Sequence, residues 1–289
     1  MTMDATSTNF FLDAPLNKAD AGPTRIAWRR FGSGPALMLV HGFPLSGFTW
    51  RKVLPRLAQQ YTCYVPDLAG MGETEWSDAT EFSWKGHAQT LKTLADQQGL
   101  AKYSVLAHDT GGTIARYLAL SDSRVDKLAL INTEVPNHRP PWIQLYQASL
   151  LLPGSLASFR LLLKSRWFLR SGMGFGGCFC NLDLIDGEFH RHVVVPLLES
   201  KRRLQGMGKY LRGLTWNWVD QLAVDHAKLA MPVQLIWGAD DPTFPIAQAR
   251  AMVKQFGNAG LTEIPGGKLL VHEEKPDAVA DATLAFLRA

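Results

Sequence analysis

The chain has 289 residues, 46% of them hydrophobic and 19% charged, which excludes intrinsic disorder and fits one large domain or one domain with an insertion. Thirty Lys and Arg against 26 Asp and Glu leave a formal charge of only +4, spread out apart from Lys201-Arg202-Arg203, so a nucleic-acid-binding stripe is excluded. Three cysteines, an odd number, argue against a disulfide scaffold and suit a reducing cytoplasm.

Residues 1–22 are polar, lack the basic-then-apolar order of a secretory leader, and read as an N-terminal tail. A cytoplasmic location is the expectation. From there, short apolar runs predict strands at 36–40, 62–66, 103–107, 127–132, 232–237 and 260–264. Most are continuous rather than alternating, as in strands buried on both faces of a parallel sheet. Helical patterns fall between them at 48–59, 83–97, 112–121, 246–255 and 277–288. The alternation predicts an α/β class, a doubly wound and mostly parallel sheet. It breaks between 136 and 224, a stretch rich in Trp, Leu, Phe and Arg with no strand pattern. We read residues 23–135 and 225–289 as the core and 136–224 as a helical lid of roughly 90 residues over the strand ends, where such sheets bind ligands. The most apolar stretch, 150–163, contains Pro153, Gly154 and Arg160 and is too short to span a bilayer. Neither a membrane nor a nucleic acid is an expected partner.

Four loops at the carboxyl ends of predicted strands carry unusual residues: 41–44, 67–72, 107–112 and 237–242. The third reads Ala107-His108-Asp109-Thr110-Gly111-Gly112 between a strand and a helix. A nucleophile flanked by small residues at this junction is the elbow turn that forces the middle side chain above the sheet. Its nucleophile slot holds Asp109. An aspartate at a helix start can also be a plain N-cap, so the residues alone leave both roles open.

HGFP at 41–44, DLAGMG at 67–72, HDTGG at 108–112, WGADDP at 237–242 and PGGKLLVHEEKP at 265–276 occur in one order along the chain. With these motifs the chain resembles the α/β-hydrolase superfamily, in its aspartate-nucleophile branch of epoxide hydrolases and haloalkane or haloacetate dehalogenases. The resemblance spans most of the chain outside the lid. It implies that Asp109 attacks an electrophilic carbon to form an alkyl ester, which a histidine-activated water then hydrolyses. It places the oxyanion-hole amides at Phe43 and Thr110 and the supporting acid at Asp241. Some dehalogenases take that acid from the end of the preceding core strand; that place holds Asn132, with Glu134 two residues on as the alternative acid. No metal or organic cofactor is implied, and the partners are a small apolar substrate and water.

The chain departs from the family at several positions. The family's last loop has its histidine four residues before the first glutamate, and counting back from Glu273 reaches Leu269. The nearest histidine is His272, which shares a helix face with position 269 if the helix starts early enough; otherwise it is an ordinary helix-start residue. If His272 reaches the site, it is the base. If not, the ester stalls and the protein traps, or simply binds, a small apolar ligand under the lid. Thr110 and Phe43 replace residues that hold halide in dehalogenases, although the lid tryptophans Trp142, Trp167, Trp216 and Trp218 could compensate. Epoxide hydrolases use two lid tyrosines as proton donors; the lid here has Tyr146 and Tyr210, whose phenols, with a reference pKa near 10, stay protonated at neutral pH. Epoxide opening is therefore placed ahead of carbon–halogen cleavage. Cys178 and Cys180 lack a metal-ligand partner, and His41 and His108 are expected to bond backbone.

Overall fold

The structure is a computed structural model that describes residues 3–289. Its nine strands are β1 (Asn17–Ala21), β2 (Thr24–Phe31), β3 (Ala36–Val40), β4 (Thr62–Pro66), β5 (Glu75–Trp76), β6 (Tyr103–His108), β7 (Val125–Ile131), β8 (Val233–Gly238) and β9 (Ala259–Ile264). They form one sheet in the order β1-β2-β4-β3-β6-β7-β8-β9, with β5 paired to β2. Every pairing from β4 through β9 is parallel, and those of β2 with β1, β4 and β5 are antiparallel.

The central parallel strands β3, β4 and β6 are buried on both faces because successive residues feed two separate cores. Met38 and Val40 join one apolar cluster while Leu37 and Leu39 join the other. Of the helices in chain order, α1 (Met3–Leu12) precedes the sheet and α2 (Leu54–Leu57) follows β3. Then come α3 (Trp84–Gln97) and α4 (Thr110–Ser121), whose Leu91, Leu94, Ile114 and Leu118 pack into the first cluster. Six helices lie between β7 and β8: α5 (Pro141–Ser149), α6 (Ser155–Leu163), α7 (Arg166–Arg170), α8 (Val195–Glu199), α9 (Lys201–Gly213) and α10 (Trp216–Asp225). This inserted helical region has the form of a lid. The chain ends in α11 (Ile246–Met252), α12 (Val271–Glu274) and α13 (Pro276–Arg288). Leu284 and Leu287 of α13 pack with Leu57 of α2 in the second cluster. Each such fully buried side chain contributes roughly 1.5–3 kcal/mol.

Two expectations need correction. Residues 3–22, expected as part of a tail, are built into the fold: α1 lays Phe11 against Phe31 and Phe48, each with ring centroids 5.6 Å apart, and β1 pairs along β2. Neither β1 nor β2 shows a continuous apolar run. They are antiparallel, and β1, with the sequence NKADA, buries only Ala19, so a search for fully buried strands passes over them. The helix expected over 48–59 is split into a 3₁₀ turn at Gly47–Trp50 and the short α2, which carries Pro55 in its first turn.

Candidate active site

Asp109 stands between β6 and α4 with φ 51° and ψ −132°, a region costly for a residue with a Cβ, by about 1–3 kcal/mol. The neighbouring glycines permit it. A Cβ on Gly111 would lie 2.3 Å from the His41 carbonyl oxygen, one on Gly112 2.5 Å from Thr133 Oγ1, and one on Gly42 2.5 Å from Asp109 Cβ. The turn is pinned from below: Asp109 N donates to the Ile131 and Asn132 carbonyls at 3.1 Å, and its own carbonyl accepts from Gly112 N at 2.7 Å and Thr133 Oγ1 at 2.8 Å.

The carboxylate makes no helix-capping bond. Instead Phe43 N donates to Asp109 Oδ2 at 2.8 Å, and the Thr110 amide also holds the carboxylate. Both amides come from residues expected as the oxyanion hole. Burial, then the nearby Glu134 charge, holds Asp109 well above the ordinary carboxylate range, against the pull of those two amides. The side chain lines a chamber of about 1280 Å³, part of it open to solvent. Its walls include Trp84, Trp142, Phe159, Phe168 and Phe175, so the medium around Asp109 is apolar.

Glu134 lines the same chamber and is buried. Its Oε2 accepts from Thr113 Oγ1 at 2.6 Å and lies 3.0 Å from Thr133 Oγ1. Burial raises its pKa, while the Thr113 hydroxyl and the Arg116 charge oppose the rise. Arg116 is itself fully buried; its Nη2 reaches Thr113 Oγ1 (2.7 Å), Thr133 Oγ1 (3.1 Å) and the Glu134 carbonyl (2.8 Å). Sequence reasoning passed over this cation, although an arginine inside the otherwise apolar run of α4 was a signal.

Asp241, in the loop after β8, is buried and accepts from Asn132 Nδ2 and Thr243 N, both at 2.8 Å. Burial pushes it up to about 7. Asn132 also accepts from Gly238 N at 2.7 Å, tying the ends of β7 and β8 together.

His272 is not brought to the chamber. It is fully buried on the core side: Nε2 lies 2.6 Å from Thr49 Oγ1, and its ring centroid is 5.0 Å from that of Trp50 and 4.3 Å from that of His108. Burial first, and Arg51 and Lys52 after it, lower it to about 3, so it is neutral. The expectation that a helix would bring positions 269 and 272 onto one face fails because α12 begins only at Val271, after Leu270 at φ −90°, ψ 44°. Leu269 therefore lies before the helix, with its side chain on the chamber wall and its carbonyl 2.9 Å from His108 Nε2. His41, as expected, bonds backbone: its Nε2 accepts from Leu68 N at 2.9 Å.

The lid residues divide. Tyr146 lines the chamber and donates its hydroxyl to the Met173 carbonyl. Tyr210 is fully buried, stacks on Phe43 and places its hydroxyl 2.8 Å from Oγ1 of Thr110, a residue that lines the chamber. Burial raises both phenols, so both are protonated at neutral pH. Trp142 and Trp216 line the chamber, the latter donating Nε1 to Gln147 Oε1 at 2.9 Å. Trp167 is 82% exposed, and Trp218 lies against Lys85.

The family model described as alpha/beta hydrolase fold matches residues 35–276. A soluble epoxide hydrolase from Corynebacterium sp. (strain C12) is 29% identical over 88% of this chain and 91% of its own length. Haloalkane dehalogenase 2 of Mycobacterium tuberculosis is 25% identical over 92% of each chain. Among solved structures, the epoxide hydrolase CorEH superposes with a TM-score of 0.81 at 23% identity, covering 95% of this chain and 98% of the other.

Proposed function

The chain belongs to the alpha/beta hydrolase family and is related to epoxide hydrolases and haloalkane dehalogenases; from that premise we propose that it opens a small, neutral, apolar electrophile by forming an alkyl ester on Asp109. The observation that carries this is the uncapped Asp109 carboxylate, set under two amides in an apolar chamber. A carboxylate oxygen bonds to the substrate carbon as the C–O bond of an epoxide, or a C–halogen bond, breaks. Epoxides are favoured. An opened epoxide oxygen needs a proton, and Tyr146 and the Tyr210–Thr110 hydroxyl pair offer protonated donors. Neither the Phe43 nor the Thr110 side chain supplies an N–H for halide.

Release of the ester needs a base, and among the described residues no imidazole lines the chamber. Glu134 is the other carboxylate on its wall. Esterification removes the charge on Asp109, and with it the repulsion between the two groups. Arg116 and the threonine hydroxyls then favour ionised Glu134. Glu134 takes a proton from water as the water oxygen attacks the ester carbonyl carbon. The oxyanion forms under the Phe43 and Thr110 amides, and the alcohol leaves with the proton from Glu134.

The test is intact-mass analysis during reaction with styrene oxide and 1-bromobutane. The wild type should show a transient alkyl adduct and released diol or alcohol, and Asp109→Asn neither. Glu134→Gln should form the adduct at near wild-type rate and lose it about 10²-fold more slowly, the usual worth of a general base. No adduct and no turnover with any probe would overturn the Asp109 reading. An adduct that persists equally in wild type and Glu134→Gln would leave Asp109 in place and make the protein a covalent trap.

A further inference from the structure

Twelve large apolar side chains are exposed among the described residues, and seven of them lie between Leu145 and Met173. Leu151 is 80% exposed, Leu161 69% and Trp167 82%. Met173 follows α7 and lines the chamber, but the other six sit on α5, α6, α7 and the α5–α6 connection, the same helices whose other faces line the chamber through Tyr146, Phe159, Leu163 and Phe168. Tyr146 packs edge-on against Phe159, with ring centroids 5.8 Å apart, and Phe159 against Phe168 at 6.5 Å. One apolar face of this layer is thus spent on the chamber. A second apolar face on the outside of a surface helix marks something that covers it.

The charges around that face say what. From residue 135 to residue 182 there is no Asp or Glu, while Arg139, Arg160, Lys164, Arg166 and Arg170 supply five cations. Arg166 and Arg170 are paired with Asp186, Arg170 also with Asp183, and Arg139 with Asp220. Arg160 reaches only the Leu198 carbonyl among the bonds described, and Lys164 stands exposed beside Leu161 and Leu162. Leucines and a tryptophan interspersed with Arg and Lys are the composition of a segment that lies in the headgroup region of an anionic bilayer. A second copy docked through the same patch would instead set these cations against their own kind, because a two-fold contact is self-complementary.

We propose that the outer face of α5–α7 docks on the surface of an anionic phospholipid bilayer, with Leu151, Leu161 and Trp167 inserted at headgroup depth and Arg160 and Lys164 against lipid phosphates. No helix among the described residues is long and apolar enough to cross a membrane, so the contact is with one surface. It puts the roof of the chamber against the phase in which apolar compounds dissolve. The docking stands on the patch alone and does not depend on the chemistry of Asp109.

Cosedimentation of the full chain with vesicles of phosphatidylcholine, with and without phosphatidylglycerol, tests this. The wild type should bind the phosphatidylglycerol vesicles about tenfold or more tightly than the neutral ones, and raised salt should weaken that binding. Leu151→Ser with Trp167→Ser should abolish it, and Lys164→Glu should weaken it. These side chains are exposed, and unchanged thermal melting would show that the variants fold. No binding to anionic vesicles at low salt, or binding unaltered by the double substitution, would overturn the proposal. So would a concentration-dependent dimer that the same substitutions dissolve while vesicles go unbound, because a second copy would then cover the face.

Discussion

At Leu269 the chamber wall carries an isobutyl group where the family pattern resembled by this chain has an imidazole. Asp241, which the resemblance implies as the acid orienting such an imidazole, is bonded to Asn132 and Thr243. Without a cationic partner it is left as a desolvated carboxylate pushed up to about 7. A histidine introduced at 269 would start on the chamber wall already shared by Asp109. Leu269→His should therefore speed loss of the Asp109 ester by about tenfold or more, the low end of general-base catalysis, and the gain should follow deprotonation of the new imidazole. Single-turnover decay of the adduct against pH measures it; a folded variant with an unchanged decay rate would show that position 269 does not face the ester. At this scale the sequence was only partly legible. Asp109 could be read because the elbow needs small neighbours at fixed offsets, and the gap at 269 could be counted. The direction of His272 could not, since it turns on Leu270 leaving helical geometry one residue before α12 begins.

Two elements meet closely where the start of α4 crosses the end of β3. The contact of Gly111 with the His41 and Val40 carbonyls is backbone on both sides, so neither side can yield. Gly111→Ala should cost about 1–3 kcal/mol or more of stability, as overpacking does, and should slow alkylation by displacing the elbow. Gly257→Ala is the control: a Cβ there meets nothing within 4 Å. Chemical denaturation of the two variants checks this, and equal stabilities would contradict it. The same scale separates legible strands from illegible ones. The central parallel strands β3, β4 and β6 are nearly continuous apolar runs because both faces are buried, whereas the edge strand β9 buries only Ile264. Antiparallel β1 and β2 spread charged residues along their exposed faces, and nothing local in their sequence distinguishes them from loop.

For the whole molecule, the sheet supplies a rigid floor and the inserted helices an apolar roof, and the site lies where the two layers face each other across the ends of β3, β6 and β7. The lid interruption was visible as a loss of strand pattern between 136 and 224. Which of its aromatic residues face inward was not, because Trp142, Trp167, Trp216 and Trp218 are chemically alike and only the packing of α5–α10 sorts them. If Asp109 itself bonds to substrate carbon, oxygen-isotope transfer within one turnover will reveal it. With excess enzyme and styrene oxide in oxygen-18 water, the diol should be free of the heavy isotope and the carboxyl of Asp109 labelled, because water attacks the ester carbonyl and not the substrate. Heavy oxygen in the diol, with an unlabelled and unalkylated Asp109, would contradict it.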